Sequence, residues 1–128
     1  MTRYLLAHDL GTSGNKATLF STEGSLIQSV VYPYDTHYFN GTWVEQDAQD
    51  WWKAVCESTR ELLKKTEIQA DAIEAVSFSG QMMGCLCVDK NGIPLRPAII
   101  WADQRATEQS AQIDEKINQY DYYRIVGH

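Results

Sequence analysis

The 128-residue sequence predicts an α/β fold with a mixed sheet, in which an N-terminal antiparallel meander precedes alternating helices and strands. Two observations support this prediction. Three short segments that favour strands lie within the first 32 residues. A pattern of apolar residues at three- and four-residue spacing, typical of a helix with one buried face, follows them. No repeat, linker or low-complexity segment is visible, so we expect one domain or a part of a larger one.

The meander is predicted from the segments Tyr4–His8, Ala17–Ser21 and Leu26–Tyr32. The sequence "STEGS" forms a hairpin turn between the last two, because Gly24 can take the positive φ that such a turn favours. The stretch "PYDTHYFNGTWVEQ", residues 33–46, follows without a regular pattern. We interpret it as either a lid-like segment or a surface loop packed on its aromatic side chains.

The first helix is predicted to begin after Asp47, which is suited to cap it, with Asp50 supporting the start. Lys64 and Lys65 end it, where positive charge interacts favourably with the helix dipole. The predicted buried face consists of Trp52, Val55, Cys56, Thr59, Leu62 and Leu63.

Strands are predicted next for "AIEAVSFSG" and "CLCVD", and the Asn-Gly pair in "KNGIP" predicts a turn. The segment "AIIWADQR" is interpreted as a strand that leads into a helix. The apolar positions of that helix are Ala106, Ile113 and Ile117. The final residues, "IVGH", give no sign that a domain finishes there.

Composition excludes several classes of function. The chain has 11 basic and 17 acidic residues and a net charge of −6. A nucleic-acid partner is therefore not expected, because neutralising phosphates requires clustered Lys and Arg. The apolar run at the N-terminus is too short for a signal peptide, and no segment is long enough to span a membrane. The three cysteines have no metal-ligand spacing, so we expect no zinc site and a cytoplasmic location.

The loop between the first two strands carries more hydrogen-bonding groups than a turn needs. With its flanks it contains Asp9, Gly11, Thr12, Ser13, Gly14 and Lys16. The glycines let backbone N–H groups approach a ligand, and the hydroxyls and the lysine suit phosphate oxygens. The carboxylate would repel phosphate unless a cation or water lies between them, and a nucleotide with Mg²⁺ meets both demands. The alternative is a hairpin whose Asp and Thr cap their own backbone.

The pattern D-x-G-T-S-x-x-K between two antiparallel strands resembles the first phosphate motif of the actin-like ATPase superfamily, whose domains are ribonuclease H-like. Within it, the chain is similar to the FGGY carbohydrate kinases, and most of all to the xylulokinases. Three further segments carry the resemblance, which extends from residue 4 to the end: "WVEQDAQDWW" (43–52), "VSFSGQMMG" (76–84) and "PAIIWADQRA" (97–106).

The resemblance implies that residues 1–128 are the leading part of the N-terminal, sugar-binding domain. The C-terminal ATP-binding domain, the general base and the adenosine motifs would lie beyond His128, so we expect the fragment alone to be inactive. The implied cofactors are ATP and Mg²⁺, and the implied partner is a small-molecule sugar. A homodimer of the full-length protein is compatible with the resemblance.

The resemblance also assigns roles to individual residues. Asp9 becomes the catalytic carboxylate, which holds Mg²⁺ through water. Phosphate contacts fall on Gly11, Thr12, Ser13, Gly14 and Lys16. Sugar contacts fall on Gln81, Met82, Met83, Trp101 and Asp103. Simpler roles remain open, because the methionines could fill core space and Asp103 could cap a helix.

Met83 departs from the family pattern, since the segment Gly-Gln-Met-His-Gly reads Gly-Gln-Met-Met-Gly here. A thioether cannot donate a hydrogen bond to a sugar hydroxyl. The departure argues against D-xylulose itself and leaves a related ketose, polyol or sugar acid.

The sequence therefore predicts an ATP-dependent kinase that phosphorylates a primary hydroxyl of a small sugar in the full-length enzyme. Two alternatives are a non-sugar actin-like ATPase and a sugar-binding or regulatory module derived from a kinase. The sugar-pocket motifs argue against the first, and the retained Asp9 argues against the second.

Overall fold

The predicted meander is present in the computed structural model, which describes residues 3–127. Strands β1 (Tyr4–Leu10), β2 (Gly14–Ser21) and β3 (Leu26–Pro33) pair antiparallel, and each extends beyond its predicted bounds. Gly24 takes a φ of 88° in the turn between β2 and β3, as predicted.

Residues 33–46 contain a hairpin, so their interpretation as an irregular segment is wrong. Strands β4 (His37–Phe39) and β5 (Trp43–Gln46) pair antiparallel. Asn40 and Gly41 connect them with φ values of 49° and 77°. An Asn-Gly pair is a strong hairpin signal, because both residues tolerate positive φ.

Helix α1 (Ala48–Thr66) begins as predicted, because the Asp47 side chain accepts a hydrogen bond from the backbone N–H of Gln49. The helix packs across β2 and β3. Its buried residues are Ala54, Val55, Ser58 and Leu62. The predicted face was therefore wrong at Trp52, which is 64% exposed.

A short 3₁₀ turn at Ala70–Ala72 leads into β6 (Ile73–Gly80), which pairs parallel with β1 as in a β-α-β crossover. The first sheet therefore has the order β3-β2-β1-β6. A smaller sheet has the order β4-β5-β7, where β7 spans Ala98–Ile99.

The predicted strand "CLCVD" is wrong. Cys85 forms only an isolated bridge with Ile99, and Val88 forms one with Pro94. The Asn-Gly turn, with Gly92 at a φ of 79°, folds this segment back on itself and prevents a longer ladder.

Two helices follow, α2 (Thr107–Asp114) and α3 (Gln119–Val126). The helix after "AIIWADQR" is confirmed, although turns separate it from β7 and Ile117 lies beyond its end. Helix α3 was not predicted. Asn118 caps its start, because the Asn118 side chain accepts a hydrogen bond from the backbone N–H of Asp121.

The core lies between α1 and the first sheet. Its buried members are Leu6, Ala17, Leu19, Val30 and Leu62. Along residues 3–127, none of the helices combines the length and the apolar character needed to cross a membrane.

Candidate functional site

Two loops with predicted functions leave the same edge of the first sheet. Strands β1 and β6 run parallel, and Leu10 lies opposite Gly80 in the register. The chain after β1 and the chain after β6 therefore emerge side by side. The backbone N–H of Gln81 donates to the carbonyl oxygen of Leu10 at 2.8 Å. A Cβ at Gly80 would lie 3.1 Å from that same oxygen, so a glycine suits the close approach.

The loop at residues 11–13, which we call the phosphate loop, is a tight connection. The N–H of Gly11 donates to the carbonyl of Gly14 at 3.0 Å. A Cβ at Gly14 would lie only 2.7 Å from the carbonyl oxygen of Tyr32 on β3. Close packing of β3 thus explains the glycine at position 14, and a phosphate contact there remains a prediction.

Tyr34 supports the phosphate loop from the side. Its hydroxyl donates to the carbonyl of Gly11. Burial, together with the negative charge of Asp9, raises the pKa of Tyr34 to about 12. The phenol therefore stays protonated and remains a donor at neutral pH.

Asp9 and Lys16 lie directly opposite each other on β1 and β2. Both side chains are exposed, and among residues 3–127 neither has a salt-bridge partner. With Thr18 and Ser79 they line a pocket of about 400 Å³. Opposite charges at facing strand positions, with hydroxyls beside them, can attract a hydrated cation and an anion.

Gln46, at the end of β5, connects four segments. Its Nε2 donates to the carbonyl of Thr12 at 2.6 Å and to the hydroxyl of Thr36 at 2.7 Å. Its Oε1 accepts from Trp51 Nε1 at 3.0 Å and from Gln81 Nε2 at 2.7 Å. The side chain is fully buried. The sequence assigned it no role, although it lies in the quoted segment "WVEQDAQDWW".

Gln81 and Met83 line a mainly apolar pocket of about 370 Å³, which we call the Gln81 pocket. Leu10, Trp51 and Gly80 also line it. Met83 has a φ of 61°, which is uncommon for a residue other than glycine. Met82 is 75% exposed.

The Gln81 pocket and the Asp9–Lys16 pocket share no lining residue. Successive residues of a strand point to opposite faces of the sheet. Asp9 belongs to the pocket on one face, and Leu10 belongs to the pocket on the other. The phosphate loop lies between them at the sheet edge.

Trp101 contacts the phosphate loop directly. Its indole Nε1 donates to the hydroxyl of Thr12 at 3.0 Å, across 89 positions of sequence. A tryptophan indole only donates, so the hydroxyl proton of Thr12 is left for another acceptor. Trp101 as a whole is 55% exposed.

Asp103 is engaged within the protein. Its Oδ2 accepts from the N–H of Val44 at 2.6 Å, and the Arg105 guanidinium bonds both carboxylate oxygens. Arg105 holds the pKa of this carboxyl well below its usual range. Arg105 also pairs with Glu45 at 2.8 Å and lies over the ring of Trp43. These contacts favour a positioning role for Asp103, and its contact with sugar stays a prediction.

A buried polar cluster lies between β1 and α1. His8 is 2% exposed, and its Nδ1 lies 3.0 Å from Asn15 Nδ2. Asn15 Nδ2 also donates to Ser58 at 2.8 Å. Burial lowers the pKa of His8, and the smaller effect of the Asn15 hydrogen bond opposes this.

Comparison with known proteins identifies relatives along nearly the whole chain. The family model "FGGY family of carbohydrate kinases, N-terminal domain" matches residues 4–128. A xylulose kinase of Staphylococcus epidermidis is 40% identical over 111 residues, which cover 87% of this chain and 22% of that protein. A glycerol kinase of Synechocystis sp. is 39% identical over 104 residues, or 80% of this chain and 21% of that protein.

The fold is also found in solved structures. The crystal structure of a xyloylose kinase from Brucella ovis superposes with a TM-score of 0.85 at 32% identity, covering 89% of this chain and 24% of that one. The similarity confirms the predicted actin-like α/β fold with a mixed sheet. The chain thus spans about a quarter or less of the length of these relatives.

Proposed function

The chain belongs to the FGGY family of carbohydrate kinases, and we propose that the whole protein transfers the terminal phosphoryl group of ATP to a primary hydroxyl of a small sugar. One observation carries the proposal for this chain. Asp9, the phosphate loop and the loop that carries Gln81 lie where β1 and β6 end, with the Asp9–Lys16 pocket on one face of the sheet and the Gln81 pocket on the other. Phosphoryl transfer needs donor and acceptor held next to each other.

Asp9 is the residue that would hold Mg²⁺, through water. In the described part of the chain no cluster of three or more His, Cys, Asp or Glu side chains forms a closed metal site. A single exposed carboxylate fits Mg²⁺, which keeps several waters and takes most other ligands from substrate phosphates. When bound, the ion neutralises charge on the phosphate oxygens.

The phosphate loop would supply hydrogen-bond donors to ATP. Thr12 accepts from Trp101, so its own hydroxyl proton can go to a phosphate oxygen. Lys16 adds positive charge beside Asp9. The amide of Gly14 and the Ser13 hydroxyl complete the proposed set, and Gly11 shapes the turn through its own N–H, which donates to the carbonyl of Gly14. Preorganised donors of this kind act mainly by electrostatic stabilisation.

The sugar would occupy the Gln81 pocket, which Gln81 and Met83 line, and Trp101, which is exposed, is a further proposed contact. Met82 belongs to the same loop. The thioether of Met83 offers no donor, so the favoured substrate is a ketose, polyol or sugar acid other than D-xylulose. Asp103 would act by holding β5 next to the loop that carries Trp101.

The same proposal covers the domains and the oligomeric state of the full-length protein. Residues 1–128 form the leading part of the sugar-binding domain, and a second domain supplies the adenosine site and the general base. A homodimer of the full-length protein stays compatible with it. Cys56, Cys85 and Cys87 are unpaired, which fits a reducing cytoplasm.

The test is ADP release by the full-length protein with ATP, Mg²⁺ and a panel of D-xylulose, glycerol and D-gluconate. We expect at least one sugar to stimulate ADP release far above the rate without sugar. A non-sugar ATPase would release ADP equally with and without sugar, and a binding module would release none.

A further inference from the structure

The amide of Gln46 is saturated and its orientation is fixed. All four of its hydrogen-bonding positions are filled. The carbonyl oxygen of Thr12 can only accept, and the indole N–H of Trp51 can only donate. Rotating the amide by half a turn would place oxygen against oxygen and N–H against N–H. The chemistry of these two partners therefore sets which end of Gln46 faces which segment.

This orientation determines that of Gln81. Because Oε1 of Gln46 only accepts, Gln81 must present its Nε2 there, at 2.7 Å. Its own Oε1 is then left over. Within the described residues that atom is buried and has no hydrogen-bond partner. Buried acceptors are almost always paired, so an unpaired one beside a pocket points to a donor supplied by a ligand.

We infer that Gln46 is a positioning residue that fixes Oε1 of Gln81 as the acceptor for one hydroxyl of the sugar. The same side chain holds the phosphate loop through the carbonyl of Thr12. Gln46 thus sets the distance between the loop that carries Gln81 and the phosphate loop. A substrate must donate at this point, which selects a hydroxyl over a carbonyl or carboxylate oxygen. The inference rests on the function proposed above.

The kinetic test uses the full-length enzyme and the sugar of the panel with the highest kcat/KM. Gln81→Met should raise KM for that sugar by about tenfold, the cost of one hydrogen bond to a buried acceptor. Gln46→Met should raise KM similarly and also lower kcat, because it releases the phosphate loop. The double variant should have a KM close to that of Gln46→Met alone, since both changes break the same hydrogen bond between Gln46 and Gln81. Gln49→Met, on the exposed first turn of α1, is the matched control.

Monodeoxy analogues of the same sugar identify the hydroxyl. One analogue should bind about tenfold more weakly than the parent to the wild type, and equally with the parent to Gln81→Met. Additive KM effects in the double variant, or no analogue with this behaviour, would overturn the inference. Gln81 is only partly buried, so we expect Gln81→Met to fold, and the analogue comparison can be made even if Gln46→Met does not fold. Gln46→Glu then replaces it, and wild-type kcat and KM in that variant would likewise overturn the inference.

A crystal structure of the Gln46→Met variant separates this inference from the proposed function. We expect the Gln81 amide to leave its position and the phosphate loop to shift. An unmoved Gln81 amide contradicts the positioning role even if sugar turnover is normal. If no sugar in the panel is turned over, the proposed function fails, and the position of the Gln81 amide still decides the positioning claim.

Discussion

The indole N–H of Trp101 lies 3.0 Å from the hydroxyl oxygen of Thr12. This bond joins the loop after β7 to the phosphate loop. Because the indole can only donate, it directs the Thr12 hydroxyl proton away from itself. The contact therefore prepares Thr12 as a donor.

Trp101→Phe removes this bond and keeps most of the ring. We expect kcat to fall roughly 3- to 10-fold, the range for one neutral hydrogen bond. Steady-state kinetics of the full-length enzyme measure it. In a Thr12→Val background the same change should have little further effect on kcat. Equal losses of kcat in both backgrounds would show that Trp101 acts otherwise.

Met83→His tests the substrate. His tolerates the positive φ that Met83 adopts, so the backbone should accept the change. A histidine can donate to a sugar hydroxyl, and we expect the preference for D-xylulose to rise by about 5- to 150-fold. The measurement is kcat/KM for pentuloses, hexuloses, polyols and sugar acids. A wild type that already prefers D-xylulose, with no change in the variant, would show that Met83 does not set the sugar preference.

Gly14→Ala tests the close approach of β3 to the first residue of β2. The new Cβ would meet backbone atoms of Tyr32 and Pro33, which cannot rotate away. We expect a loss of about 1–3 kcal/mol in the free energy of unfolding, read as a lower Tm. Gly11→Ala is the control, because its Cβ would make only an ordinary contact of 3.5 Å. Equal Tm values for the two variants would refute the steric account.

His8 should make stability depend on pH. Burial lowers its pKa in the folded state below the ordinary value of 6.5. Between these two pKa values the unfolded chain binds more protons, so lowering the pH through this window favours unfolding. We expect Tm to fall from about pH 7.5 to about pH 5.5, and to fall less in His8→Gln. His37→Gln, on the exposed strand β4, should keep the wild-type fall. A slope unaltered in His8→Gln would exclude His8 as the cause.

Local signals explain what the sequence predicted correctly. The meander and the start of α1 depend on strand-forming runs, a glycine turn and the Asp47 cap, which are all readable within a few residues. The β4–β5 hairpin has the same kind of signal at Asn40-Gly41. The rest of residues 33–46 shows no strand alternation, so this signal stands alone in the sequence.

Contacts between distant segments could not be predicted in this way. Gln46 meets Thr12 across 34 positions and Gln81 across 35. No periodicity or spacing in the sequence encodes that meeting, which arises only when the small sheet packs beside the first sheet. The engagement of Asp103 by Val44, 59 positions away, was hidden for the same reason.

The central claim is that Asp9, near the end of β1, supports phosphoryl transfer to a sugar. The most direct measurement is kcat of the full-length Asp9→Asn variant, together with the dissociation constant of the preferred sugar. Asparagine keeps the shape and removes the charge that orients metal and phosphate. We predict a loss of about 10²-fold or more in kcat with sugar affinity nearly unchanged. A variant with wild-type kcat would contradict the claim and return the phosphate loop to a purely structural role.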